Sequence, residues 1–183
     1  MISTQLAGQR VLLTQADDFM GPALVEVFGR QGAEVIADTR ALADDPALPA
    51  AIVAQAGRVD VLLLHLALPA PATPAGLRGQ KRTGSYSAAR GAQLAYVQAV
   101  GLELAPQGVQ LNAIAQNFVA NPTCYGPEVQ ADPRFQERLK REVPLGRLVS
   151  AEEDALFAAY LCSDAAACFV GQVFPVSGGW ALR

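Results

Sequence analysis

The spacing of three short apolar runs constrains the fold more than any other feature of this chain. Residues 9–14 (Gln-Arg-Val-Leu-Leu-Thr), 34–38 (Glu-Val-Ile-Ala-Asp) and 59–64 (Val-Asp-Val-Leu-Leu-Leu) are short, apolar and flanked by polar residues. Buried strands have this pattern. Between the first two, Leu24, Val27 and Phe28 fall on one helical face after Gly21, and Gly32 suits the helix C-cap. Residues 46–56 form a second helix before the third run. Strand, helix, strand, helix, strand at this spacing predicts an α/β fold with a parallel sheet and right-handed crossovers. A chain of 183 residues fits one domain, 1–183.

The rhythm resumes further on. Residues 86–104 are Ala-rich and helical, with Leu94, Val97, Gly101 and Leu104 at three- and four-residue steps. A strand over 109–113, a polar loop over 115–132 and a charged helix over 134–143 follow. Ser150 and Glu153 make a capping box for a helix carrying Leu156, Tyr160 and Leu161, and a last strand covers 171–176. The stretch 68–85 breaks the pattern with Pro69, Pro71, Pro74, Gly76, Gly79 and Gly84, and a structureless loop of that length is unusual in a compact domain.

Composition excludes several functions. A net charge of −3, a pI near 5.1 and no basic stripe argue against nucleic acid as a partner. No apolar run approaches the ~20 residues that span a bilayer, and the start of the chain lacks a secretory pattern, so a cytoplasmic protein is expected, with no membrane partner. Cys124, Cys162 and Cys168 form no CxxC pair, and His65 is the one histidine, so no metal site is expected. His65 ends an apolar run and reads as a satisfied core or loop histidine rather than a general base.

Ligands of open parallel sheets bind beyond the carboxyl ends of the strands. Three loops should reach that edge: 14–21, 66–85 and 115–132. In the first, a dinucleotide fold places glycines that let the backbone approach a pyrophosphate. Only Gly21 is present; Gln15 and Phe19 take glycine positions, and Asp17 and Asp18 add negative charge. Asp38, closing the second strand, could hold a ribose hydroxyl. A plain strand-to-helix turn is the alternative. Tyr86 and Arg90 stand at i and i+4, on one helical face, directly after the second loop. A neighbouring guanidinium favours a phenolate, so such a pair can supply a general base, although the spacing also occurs on solvated helices. In the third loop, Gln116, Asn117 and Phe118 place a side-chain amide and an aromatic edge where a small anion could sit, or they simply cap a strand end.

These residues together resemble the short-chain dehydrogenase/reductase superfamily, and within it the halohydrin dehalogenases. The resemblance rests on residues 6–14, 32–38, the Tyr86-Ser-Ala-Ala-Arg90 motif, 114–117, 143–148, 171–174 and 178–180. It implies a Rossmann-like, three-layer, doubly wound parallel sheet in a short or incomplete version. A block holding one helix and one strand would be missing near 71–76. It also implies that Tyr86 takes the hydroxyl proton of a vicinal haloalcohol while the alkoxide displaces halide, giving an epoxide, with ring opening by small anions as the reverse. Arg90 would assist Tyr86; Phe19, Asn117 and Phe118 would line the halide pocket together with Gln15 and Gly21. Thr73, thirteen positions before Tyr86, could supply the third hydroxyl of the triad. The expected partners are a haloalcohol or epoxide and halide, with no nicotinamide cofactor. The alternatives are an oxidoreductase using NAD or NADP, or a catalytically incomplete relative. A homodimer or homotetramer is expected through the Tyr helix, whose Ala92, Ala95, Ala99 and Gly101 permit close approach.

Overall fold

A computed structural model describes residues 5–42, 45–65, 77 and 81–182. In chain order its elements are β1 (Arg10–Leu13), α1 (Gly21–Arg30), β2 (Glu34–Ala37), α2 (Leu48–Ala56), β3 (Val61–Leu63), α3 (Gly84–Leu104), β4 (Ala113–Gln116), α4 (Pro127–Ala131), α5 (Pro133–Glu142), α6 (Ala151–Leu161) and β5 (Val173–Val176). They fall into two compact units, Met1–Ala70 with Ala151–Asp164, and Pro71–Ser150 with Ala165–Arg183. Among the described residues no helix is long and apolar enough to cross a membrane.

The first unit is a parallel sheet in the order β2-β1-β3. Leu12 pairs with Ile36 on one side and Leu62 on the other. The chain therefore leaves β1 for one neighbour and later crosses to the opposite one. That reversal creates a crevice beyond the end of β1, the place where open α/β sheets bind ligands. β1 is central because Val11, Leu12 and Leu13 are fully buried. α1 buries Leu24, Val27 and Phe28 and packs on α6, a helix whose Ala155, Ala158 and Ala159 are buried. Burying Phe28 alone is worth roughly 2–3 kcal/mol. Arg30 forks onto both carboxylate oxygens of Glu152 at the exposed rim, where water screens the ion pair.

The second unit pairs β4 with β5, also parallel, with Ile114 opposite Phe174. Its core is aromatic: Phe118, Tyr125, Phe135 and Trp180 pack with Leu139 and Val143. The strand expected over 109–113 begins four residues later. Side chains replace the ladder before it. Asn112 donates to the Phe169 carbonyl and accepts from the Gln172 amide, and Gln110 donates to the Ala166 carbonyl. Gly171, at φ +63, turns the partner segment out of strand geometry, so regular pairing starts only at Ala113 and Val173. Gly101 also has a different role from the one expected. A Cβ there would lie 2.8 Å from the Gly171 Cα, so this small residue seats α3 on its own unit rather than on a partner.

Candidate functional site

The turn beyond β1 keeps the shape of a glycine turn without the glycines. Gln15 and Phe19 sit at φ +50 and +47, in the left-handed region that costs an ordinary side chain about 1–2 kcal/mol. Gly21 is irreplaceable by sterics, because a Cβ there would run into the Ala16 carbonyl. The strain is held by His65, fifty positions from Gln15. Its backbone amide donates to the Thr14 hydroxyl (3.0 Å), and that hydroxyl lies 3.2 Å from the His65 carbonyl. Its Nδ1 lies 3.1 Å from the Gln15 carbonyl oxygen, and its Nε2 lies 3.3 Å from the Met20 nitrogen. Its ring stacks on Phe19 at 5.7 Å. The expected reading of His65 as a satisfied histidine matches this geometry. Burial pushes its pKa below the ordinary value. The amides at the start of α1 are already engaged: the Phe19 N–H donates to Asp18 Oδ1 (2.6 Å), Met20 to His65, and Gly21 to the Asp18 carbonyl (2.8 Å).

Asp38 lies just past β2, with its main chain anchored by the bonds Ala16 N–H to Asp38 carbonyl (2.9 Å) and Asp38 N–H to Leu13 carbonyl (2.8 Å). Its carboxylate accepts from the Arg40 guanidinium and from the Arg40 amide (3.0 Å). The side-chain bond from Arg40 holds the carboxyl below the usual range.

In the second unit, Tyr86 and Arg90 lie on the first turns of α3, both half-buried. Arg90 Nε donates to the Tyr86 hydroxyl at 3.2 Å, and the guanidinium carbon lies 5.3 Å from the ring centre. Arg90 also donates to Gln93 Oε1 at 2.9 Å, which fixes the fork in place. The i, i+4 prediction therefore holds at the level of contact. A phenol oxygen held this way can pass a proton to, or take one from, a substrate oxygen. Thr73 lies outside the described residues. Further along, Asn117 and Phe118 follow β4. Asn117 Oδ1 accepts from the Phe118 N–H at 2.9 Å and so supports Phe118 at φ +53. Asn117 is buried, and its Nδ2 has no hydrogen-bond partner among the described residues. A buried orphan donor costs about 1–3 kcal/mol, so the position calls for an acceptor. Phe118 stacks with Tyr125 and carries the Arg138 guanidinium 5.3 Å over its ring. Sequence reasoning missed Tyr125, whose hydroxyl is pushed up to about 12 by burial; its one sequence signal was an aromatic inside a polar loop.

Comparison with known proteins places this geometry. Residues 70–181 match the family model described as Enoyl-(Acyl carrier protein) reductase. The chain is 38% identical over 95 residues to an uncharacterized oxidoreductase of Bacillus subtilis, covering 52% of this chain and 38% of that protein. It is 35% identical over 109 residues to a 3-oxoacyl-(acyl-carrier-protein) reductase of Synechocystis, covering 59% and 41%. The chain thus matches less than half the length of these relatives. Among solved structures, one described as a dehalogenation enzyme superposes with a TM-score of 0.82 at 25% identity, covering 96% of this chain and 99% of the other. A Beutenbergia cavernae structure assigned to an NAD(P) dependent gluconate 5-dehydrogenase, with bound NADP at low occupancy, superposes at 0.82 and 23% identity, covering 98% and 99%. The Rossmann-like α/β expectation is borne out by these structures.

One expectation is overturned. The absence of a nicotinamide cofactor was inferred from Gln15, Phe19, Asp17 and Asp18, but the reductase relatives and the NADP-bound neighbour point to NAD(P). The physical reason the inference failed is visible in the turn, whose left-handed backbone survives the loss of its glycines. In the conformation described, the turn nevertheless does not fit a pyrophosphate, because the Phe19 and Met20 amides are bonded within the chain.

Proposed function

Because the chain belongs to the enoyl-(acyl carrier protein) reductase family of the short-chain dehydrogenase/reductase superfamily, we propose that it is a nicotinamide-dependent oxidoreductase acting on a carbonyl or secondary alcohol. The observation that carries this reading is the Arg90 bond to the Tyr86 hydroxyl, within the matched residues. Tyr86 exchanges a proton with the substrate oxygen. Arg90 holds the phenol oxygen in place. Asp38 and Arg40 suit the adenosine ribose, a carboxylate meeting its hydroxyls and a guanidinium meeting a 2′-phosphate. The chain acts as a homo-oligomer through the exposed face of α3, where Ala92, Ala95, Tyr96, Ala99 and Leu102 line up unburied; light scattering reads this directly.

The test follows NADPH or NADH oxidation with a panel of ketones and 3-oxoacyl thioesters. Tyr86→Phe removes one hydroxyl and keeps the ring, so turnover should drop at least about a hundredfold, the lower range for a general acid–base group, with the circular dichroism unchanged. Undiminished turnover in Tyr86→Phe would sink the assignment. A second reading is dehalogenation of a vicinal haloalcohol. It is favoured by the orphan Asn117 Nδ2, a donor suited to halide, and by likeness to the dehalogenation enzyme. Halide release from a haloalcohol, absent in Tyr86→Phe, selects this reading over the first.

A further inference from the structure

The first three turns of α3 carry a line of polar side chains. Tyr86 and Gln93 are seven residues apart, within about 20° of two full helical turns, so they lie one above the other with Arg90 between them. Helical side chains lean toward the start of their helix. Gln93 therefore reaches back to Arg90 at i−3, and Arg90 reaches back to Tyr86 at i−4. The bonds follow this order: Arg90 Nη1 donates to Gln93 Oε1 at 2.9 Å, and Arg90 Nε to the Tyr86 hydroxyl at 3.2 Å. They leave the guanidinium from different nitrogens. A single bond through Nε leaves that planar group free to turn about it, and the second bond takes the freedom away. Among the described residues no other side chain accepts from Arg90. The hydroxyls of Thr83 and Ser87 bond each other at 3.1 Å. Tyr86 and Arg90 are half-buried and Gln93 is exposed, so Gln93 stands where the pair meets solvent.

We propose that Gln93 is a positioning residue of this site: its amide oxygen holds the Arg90 guanidinium in the orientation that presents Nε to the Tyr86 hydroxyl, and turnover depends on it through Arg90. The tie to turnover rests on the reading of Tyr86 above, as the group that exchanges a proton with the substrate oxygen. The role needs an acceptor of a given reach. A carboxamide oxygen supplies one, and so does a carboxylate of the same length, whereas a thioether of similar length is a weak acceptor. Released from Gln93, the guanidinium turns between rotamers, and the Tyr86 oxygen spends part of its time without its donor. The phenol then enters the reaction from a wider spread of positions, which slows proton exchange and leaves substrate affinity alone. The signature is a lower kcat at constant KM. Stability should barely change, because an exposed pair at i, i+3 contributes little to a helix.

Two measurements on the full chain decide the matter. The first is the proton resonance of the Arg90 Nε–H, identified by its loss in Arg90→Lys. In Gln93→Met it should move toward the position of a free arginine and exchange faster with water. In Gln93→Glu, which keeps an acceptor of the same reach, it should stay shifted and protected. A resonance as protected in Gln93→Met as in the unmodified chain overturns the role, whatever the substrate is. The second is turnover, followed by NADPH or NADH oxidation with the carbonyl substrate that the unmodified chain reduces fastest. Gln93→Met should lower kcat by up to about tenfold, the net worth of one hydrogen bond, with KM within about twofold. Gln93→Glu should restore most of the loss. An undiminished kcat in Gln93→Met, while Tyr86→Phe is inactive, overturns the role and leaves the oxidoreductase reading standing. A Gln93→Glu chain as slow as Gln93→Met also overturns it, because the site then does not use the acceptor. If none of the chains turns over a carbonyl, the oxidoreductase reading falls and the tie to turnover falls with it, and the resonance decides whether Gln93 holds the fork.

Discussion

The turns beyond β1 and β4 solve one backbone problem with different materials. Each follows a parallel strand and drives a phenylalanine, Phe19 or Phe118, into the left-handed region. In the first, a histidine two residues past β3 supplies two hydrogen bonds and a stacking face, and the Phe19 and Met20 amides are satisfied within the chain. In the second, a buried aromatic cluster supplies the support, and one amide donor of Asn117 is left over. Polar clamping ties the turn to a titratable ring. Apolar clamping makes a rigid one that presents a donor to whatever ligand arrives.

The sharpest way to break this comparison is to truncate both rings. Phe118→Ala removes a fully buried ring and should cost about 3–5 kcal/mol in urea unfolding, whereas Phe19→Ala, half-buried and relieved of crowding at positive φ, should cost less than about 1.5 kcal/mol. Equal losses would mean that the two turns are held alike. The turns should also fail at opposite ends of the pH scale. Tyr125 has its pKa raised from 10.0 to about 12 by burial, so the fold favours the phenol. Its stabilising effect is full below pH 10 and is lost as pH climbs toward 12, by roughly 2–3 kcal/mol at most. Tyr125→Phe should flatten that alkaline limb in thermal melts. His65 has its pKa lowered by burial, so the fold favours the neutral ring. Its contribution is present above the unfolded value near 6.5 and is lost as pH falls through the folded value, a smaller acid limb that His65→Asn should flatten. The smallest effect expected is Gln15→Gly. It relieves a left-handed side chain but loosens the unfolded chain, so stability should change by less than about 1 kcal/mol.

Much of this was legible in the chain itself, for a reason that also marks the boundary of legibility. β1, β2, β3 and the helices between them follow from local hydrophobic period, and so does the i, i+4 meeting of Tyr86 with Arg90. Gln15 and Phe19 read as the loss of a glycine turn, because sequence spacing carries side-chain identity but not the left-handed backbone that His65 maintains from β3. The start of β4 was misplaced because Gln110 and Asn112 look like strand residues until their amides are seen bonding the segment around Phe169. Gly101 read as a surface for a partner because nothing near it in the chain announces Gly171. Each miss depends on a residue fifty or more positions away.

The Arg30–Glu152 fork closes a span of 122 positions, and its consequence is one of timing. α1 is complete by residue 30, but α6, which packs against it, ends at Leu161. At about 5–20 residues per second, a ribosome needs on the order of ten seconds between finishing β3 and delivering α6. Through that interval α1 sits on the nascent β2-β1-β3 sheet without its α6 neighbour, so the hazard to this protein in a cell lies less in the finished molecule than in the wait for α6 to emerge.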